Sequence, residues 1–233
     1  DVNLAGSYLW PGSLEEAKSL QIDLATRVSH VNAIPSKLKY IAGIDVSPPD
    51  NNGWVLGSTV VLGWPGLEMA EVRLGWALPP IPYIPGYLAF REIPAVIDAL
   101  EKLEIRPDVI LVDGQGLAHP RRFGLACHIG ILTDLPTIGC AKSILLGRYD
   151  NLETSRGSSA PILHKNEVLG AAVRTKNNIS PVYVSIGHKV DLTSAVATVL
   201  RSCGKYRLPE TTRLAHQAAA GRYPEGVYRE SQP

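Results

Sequence analysis

The stretch that decides the fold runs from Asp108 to Arg122: Asp-Val-Ile-Leu-Val-Asp-Gly-Gln-Gly-Leu-Ala-His-Pro-Arg-Arg. Its four apolar residues, Val109 to Val112, are β-branched at both ends and too few for a helix. They read as a short strand buried on both faces. The strand ends on Asp113, and Gly114 and Gly116 follow. A carboxylate at the end of a buried strand is costly unless something pairs with it. The glycines let the backbone turn and a ligand come close. His119, Arg121 and Arg122 then offer groups suited to an anion. The segment is expected to hold a metal at Asp113 and to face a nucleic-acid phosphate beyond it. Taken alone, Asp113 reads more readily as a turn or cap residue and the arginine pair as solvated charge, so the rest of the chain must supply the partners.

Upstream, the spacing predicts a helix from Tyr87 to about Leu103, with Leu88, Ala95, Ala99 and Leu103 inward. Pro94 must kink this helix or mark its true first turn. Pro79 to Gly86 is too proline-rich to be regular. Before it come three short strands, Tyr40–Val46, Gly57–Leu62 and Glu68–Trp76. Trp64-Pro65-Gly66 joins the last two at hairpin spacing, and the three form an antiparallel meander. Ser13 opens an earlier helix with Glu16 three residues on, a capping box, and Ala17, Leu20, Leu24 and Val28 give it an apolar stripe.

Downstream, a buried helix over Phe123–Leu132 leads to a strand over Leu135–Cys140, with Lys142 just after it. Strand, helix and strand make a βαβ unit, so these strands run parallel. Residues 143–165 read as a loop. A hairpin over Val168–Arg174 and Val182–Gly187, a helix capped by Asp191, and a last helix from about Thr211 to Ala220 carrying His216 complete the chain. The order predicts an α/β fold: one domain over residues 1–233, with a mixed sheet of three antiparallel strands followed by parallel ones, helices on both faces, and residues 1–12 and 221–233 as peripheral segments.

Lys plus Arg is 23 and Asp plus Glu is 22, a formal net charge of +1, so any basic face must be local. Cys127, Cys140 and Cys203 are too few and too widely spaced for a disulfide framework or a Cys-x-x-Cys knuckle, and read as buried small hydrophobes in a reducing, cytoplasmic compartment. No basic-then-apolar leader is visible, and no apolar run approaches the ~18 residues of a membrane span.

Asp45 interrupts an apolar strand, where Asp is disfavoured. If that strand pairs in parallel with the one ending at Asp113, the two acids become neighbours. Such carboxylates raise each other's pKa unless a cation intervenes. Glu92, near the start of the intervening helix, is a third candidate, although an acid there also compensates the helix dipole. Few oxygen ligands suit Mg²⁺ or Mn²⁺, which keep waters and take up phosphate. Lys142 reads as a surface charge or as a group at the same sheet edge, and His216 as a packed histidine or a base. Pro82-Tyr83-Ile84-Pro85 holds an aromatic in a stiff loop, either packed on the core or built to part stacked bases.

Together these residues carry a family resemblance. The chain resembles endonuclease V, the deoxyinosine-specific nuclease of DNA repair, in Ile41-Ala-Gly-Ile-Asp-Val46, Pro82-Tyr-Ile-Pro-Gly-Tyr-Leu-Ala-Phe-Arg-Glu92, Val112-Asp-Gly-Gln-Gly116 with His119-Pro-Arg-Arg122, Pro136-Thr-Ile-Gly-Cys-Ala-Lys142, Gly187-His-Lys-Val190, and Tyr206-Arg-Leu-Pro-Glu210 leading to His216. The matches keep the family's order over roughly residues 13–220. The resemblance implies an RNase H-like fold and Mg²⁺-dependent hydrolysis, with Mn²⁺ able to substitute, of the second phosphodiester 3′ to an inosine, leaving 3′-hydroxyl and 5′-phosphate. It implies Asp45, Glu92 and Asp113 as metal ligands, His216 as the active-site histidine and Lys142 at the scissile phosphate. Pro82, Tyr83, Ile84 and Pro85 become a strand-separating wedge, Gly114 and Gly116 the wall of the base pocket, and His119, Arg121 and Arg122 groups that position the substrate backbone. The expected partner is DNA containing deoxyinosine, with inosine in RNA as the alternative substrate, acted on by a monomer. Non-catalytic binding of distorted DNA is the reading from a different class. Gln115 departs from the family's pattern, which often has His there.

Overall fold

The computed structural model describes residues 10–228. The expected peripheral segments fall partly on residues 1–9 and 229–233, outside the described residues. The meander forms as expected from β1 (Tyr40–Val46), β2 (Val55–Gly63) and β3 (Met69–Ala77). β4 (Val109–Val112) pairs in parallel with β1, Ile44 opposite Val112. All four β4 side chains are buried, as an interior strand requires. The acid just before the strand fixes its register: Asp108 Oδ2 accepts from the backbone N–H groups of Lys39 and Tyr40 at 2.7 and 3.0 Å. α3 (Leu125–Thr133) then crosses to β5 (Thr137–Ala141), parallel to β4.

One expectation fails. Residues 143–165 are not all loop, because β6 (Ser159–His164) lies within them and pairs with β7 (Glu167–Val173), which pairs with β8 (Val182–His188). β6 is the sheet's edge, where Pro161 removes no ladder bond that matters. Among the described residues eight strands join one sheet in the order β3-β2-β1-β4-β5-β8-β7-β6. Its first five strands, antiparallel then parallel, are the RNase H-like arrangement.

Helices cover both faces. α2 (Leu88–Glu101) and α3 bury Ile93, Val96, Leu100 and Ile129 against Ile44, Val61 and Ile110. α4 (Leu192–Ser202) and α5 (Glu210–Ala219) bury Val199, Ala215 and Ala218 against Ile41, Val60 and Leu111 on the other face. α1 (Leu14–Ala25) packs Leu24 against Phe123, just before α3, and against Cys127 of α3. Its cap is the expected one: Ser13 Oγ accepts from Glu16 N–H, while the Glu16 carboxylate accepts from Gly12 N–H. Asp191 Oδ1 caps α4 through Ser194 N–H. Pro94 lies inside α2 rather than in its first turn.

Two close approaches set the helices that matter. A Cβ at Gly57 or Gly75 would stand 2.7 or 2.2 Å from Ala95 O, so α2 rests directly on the backbone of β2 and β3. A Cβ at Gly43 would stand 2.1 Å from Thr211 O, so α5 rests in the same way on β1. The tail returns to the edge of β3, where Val72 N–H donates to Val227 O at 2.9 Å. Among the described residues no helix is long and apolar enough to cross a membrane.

Candidate active site

The parallel pairing of β1 and β4 brings their ends together. Asp113 N–H donates to Ile44 O at 2.9 Å, so Asp113 leaves the sheet beside Asp45. Asp45 is buried. Its pKa is raised by that burial and then by the charge of Asp113, against a hydrogen bond from His216 that works the other way. Glu92 enters from α2 and is pushed up to about 8, first by burial and then by Asp45 and Asp113. The three expected acids therefore sense one another. Two basic groups answer them. Lys142, one residue past β5, pairs its ammonium with Asp113 Oδ2. Burial pulls the Lys142 pKa down, but Asp113 and then Asp45 outweigh it and hold the group above its ordinary value. His216, in the last turn of α5, places Nδ1 2.8 Å from Asp45 Oδ2. Its side chain is 63% exposed, so the rest of the ring is open to solvent. The close seat of α5 on β1 makes this contact possible. Ser58 Oγ reinforces it by donating to Ala215 O at 2.7 Å.

Three crowded carboxylates, two of them biased toward protonation, are a donor set with a deficit of positive charge. Their oxygens suit a small hard divalent cation in type and charge. As they lie, no three His, Cys, Asp or Glu side chains among the described residues converge closely enough to hold an ion. Lys142 and His216 are the present counter-charge and hydrogen-bond partner.

A cavity of about 410 Å³ opens beside the acids, lined by Tyr83, Leu88, Gly114, Gln115, Leu125 and Leu145 among others, and reaching Glu92 and Asp113. That is a volume suited to a small ligand. Tyr83 is 64% exposed at its rim, on a loop held firmly from behind. Gly86 O accepts from Gln21 Nε2, from His119 Nε2 and from the Arg121 guanidinium. The Arg121 guanidinium also stacks 4.3 Å over the Tyr87 ring, and Arg91 donates to Ile81 O at 3.0 Å.

These anchors relocate several expected groups. His119 is buried, and its pKa falls to about 4 through burial and then the neighbouring Arg121. Its Nδ1 accepts from Arg121 N–H, which leaves Nε2 as the donor to Gly86 O. His119 is therefore held neutral, between Gly86 O and Arg121 N–H. Arg121 is spent on Gly86 and Gln21, and Arg122 pairs with Glu167 at 2.6 Å. Gly114 lines the cavity, but Gly116 does not. Gly116 is packed against β8, where a Cβ would meet Ile186 O at 2.1 Å, and its N–H donates to Ser185 Oγ at 2.8 Å. Pro82, Ile84 and Pro85, expected to form a wedge, flank Tyr83, with both prolines exposed. Gln115 lines the cavity and ties its two rims together by donating to Ser143 O at 3.0 Å.

Sequence reasoning missed the apolar lining of Leu88, Leu125 and Leu145, and it missed Gln21. The signal for Gln21 was present: it lies four residues after Ala17 on the inward stripe of α1, a polar residue in an apolar row, and it is fully buried.

Comparisons with known proteins place the chain in a family and bear out the fold. The family model for endonuclease V matches residues 22–217. An endonuclease V from Trichormus variabilis is 46% identical over 213 residues, covering 91% of this chain and 96% of the relative. The crystal structure of endonuclease V from Streptomyces avermitilis superposes with a TM-score of 0.86 at 41% identity, covering 94% of this chain and 96% of that one. The Ciona intestinalis endonuclease V, in complex with a 24mer DNA containing an inosine followed by a ribo-adenosine, superposes with a TM-score of 0.78 at 31% identity, covering 89% and 96%. With the family model spanning most of the chain and relatives this similar along its length, the chain belongs to the endonuclease V family.

Proposed function

We propose that this protein recognises deoxyinosine in DNA and hydrolyses the second phosphodiester bond 3′ to it, leaving 3′-hydroxyl and 5′-phosphate, with Mg²⁺ as the cofactor and Mn²⁺ able to replace it. The observation that carries the reading is that one cavity touches both Tyr83 and two of the crowded acids, Glu92 and Asp113. A base received there leaves the adjoining backbone beside the carboxylates. Tyr83, on a loop whose back is pinned, fills the gap in the stack left by the extruded base, and the stiffness of the loop lowers the entropy cost of insertion. The backbone at Gly114 meets the base edge, and Leu88, Leu125 and Leu145 cover its faces.

Asp45, Glu92 and Asp113 would hold the divalent cation, which would supply positive charge at the phosphate and make water there more acidic. His216, hydrogen-bonded to Asp45 through Nδ1, directs its other nitrogen at the attacking water. Lys142 trades its contact with Asp113 for the scissile phosphate. His119, Arg121 and Arg122 act one layer back, by fixing the wedge loop and the Gly114 segment instead of touching phosphate. Mapping the cut on a duplex with one central deoxyinosine, with Mg²⁺ and with EDTA, tests the proposal. Cleavage elsewhere, or cleavage that survives EDTA, overturns it. The ribo-adenosine after the inosine in the Ciona complex makes a ribonucleotide at that position the natural second arm, and the ratio of the two rates ranks DNA against RNA as substrate.

A further inference from the structure

The chain is nearly neutral, yet one surface beside the acids gathers cations on two neighbouring loops, with the ion pair of Glu210 and Arg213 at its margin. The β7–β8 turn, residues 174–181, carries Arg174 and Lys176, and the loop between α4 and α5, residues 203–207, carries Lys205 and Arg207. Neither segment contains Asp or Glu. The two are stitched together: Lys176 Nζ donates to Lys205 O at 3.1 Å, Thr175 Oγ1 donates to Arg207 O, and Arg207 donates to Ser180 O and Pro181 O at 2.9 and 2.6 Å. Arg174 donates to Glu153 O and Ile179 O at 3.0 and 2.6 Å, and Arg156, from the neighbouring loop, to Leu200 O and Cys203 O. Every one of these acceptors is a backbone carbonyl. Carbonyls fix the geometry of a guanidinium without cancelling its charge, so the positive field of the patch survives. Tyr206 lies in the same surface, 43% exposed, with Lys205 and Arg213 over its ring.

The patch joins the candidate active site. Arg207 Nη2 donates to Lys142 O at 2.9 Å, and Lys142 holds Asp113. Cations in fixed positions with an exposed aromatic among them suit a sugar–phosphate backbone. We propose that this surface, built on Arg174, Lys176, Lys205 and Arg207, binds the phosphate backbone of the substrate where it leaves the cavity past Lys142. The inference rests on the proposed function and adds to it a second contact, outside the lesion pocket and indifferent to sequence. It explains how a chain of formal charge +1 gains a grip on a polyanion.

The test uses Lys176→Ala/Lys205→Ala, two exposed positions outside the candidate catalytic machinery. Affinity for a long duplex is measured with and without one deoxyinosine as salt is raised. Losing two phosphate contacts lowers the slope of log K against log salt by about 1.8, so raising salt from 50 to 200 mM weakens wild type about 12-fold more than the variant. The same loss is expected on the lesion-free duplex, while the single-turnover cleavage rate at saturation stays at the wild-type value. Equal salt slopes for the two proteins on both duplexes overturn the proposal. Failure of the proposed function shows separately, as a wild-type protein that prefers neither duplex and cuts neither.

Discussion

Replacing Glu92 by Gln isolates the electrostatic strain of the acid cluster, because the change removes a charge and keeps the shape. In the folded protein without a cation, the Glu92 carboxyl is pushed from 4.5 up to about 8, chiefly by burial and then by Asp45 and Asp113. The folded protein therefore prefers the protonated acid. That preference contributes stability in full below pH 4.5, and the contribution is lost as pH rises through about 8. At about 1.4 kcal/mol per pH unit, the gap sets a ceiling of about 5 kcal/mol, and partial access of water to the side chain brings the expected value to roughly 2 kcal/mol. The glutamine variant carries no such penalty. In denaturant unfolding of chelator-treated protein, the variant should gain on wild type steadily between pH 4.5 and 8 and level off above. A constant offset from the buried amide does not matter, since the slope is the readout. Mg²⁺ added at pH 8 should stabilise wild type more than the variant. A stability difference that does not change with pH, or that shrinks as pH rises, refutes the reasoning.

Asp45→Ala and Asp113→Ala should each abolish cation-dependent nicking while binding to inosine-containing duplex survives; full nicking by both variants would sink the assignment of the acids. Tyr83→Ala should weaken affinity for that duplex by about 5- to 150-fold, the worth of one stacked base, with cation affinity unchanged. Arg121→Ala should speed amide exchange across residues 82–87, since it removes the loop's strongest anchor; unchanged exchange would show that Gln21 and His119 hold Gly86 alone. Gly43→Ala forces a Cβ to within 2.1 Å of Thr211 O, so α5 must lift, at about 1–3 kcal/mol of overpacking. Activity should fall with the loss of the His216–Asp45 contact, and wild-type denaturation with wild-type activity would refute the role given to that approach.

What the sequence made legible was whatever local pattern alone determines. β4 shows because burial on both faces leaves an unbroken apolar run, and the βαβ unit after it forces parallel pairing. Asp45 and Asp113 become neighbours only through the parallel pairing of β1 with β4, which the sequence leaves as a condition. β6 did not show, because an edge strand needs only one buried face. Its inward residues Ala160 and Ile162 are too few to stand out around Pro161, and its partner β7 supplies the rest. The charges of His119, Arg121 and Arg122 were visible, but their partners were not. Arg121 reaches back 100 residues to Gln21 and 35 to Gly86, and Arg122 forward 45 to Glu167. Whether a guanidinium meets a phosphate or a carbonyl is decided by contacts of that range, on which spacing is silent. Gly116 fails in the same way: a glycine that admits a ligand and one that admits a neighbouring strand are written identically.

The same long-range contacts explain why the site has the shape it has. Asp45 stands on the strand where the antiparallel meander meets the parallel strands, with β2 on one side and β4 on the other, so neither can shift without moving it. Glu92 and His216 come from helices that rest on bare backbone at Gly57, Gly75 and Gly43, a spacing that no side chain cushions. The acids are thus carried by elements seated directly on the sheet, the kind of support that orienting a cation and a water demands. The wedge loop is attached differently, by hydrogen bonds converging on one carbonyl, Gly86 O. Under the proposed function that division follows from the task. The distance from base pocket to carboxylates selects which phosphodiester is cut, so it belongs to the rigid frame. The wedge has to enter a stack without losing its shape, so its loop is pinned from behind at Gly86 O.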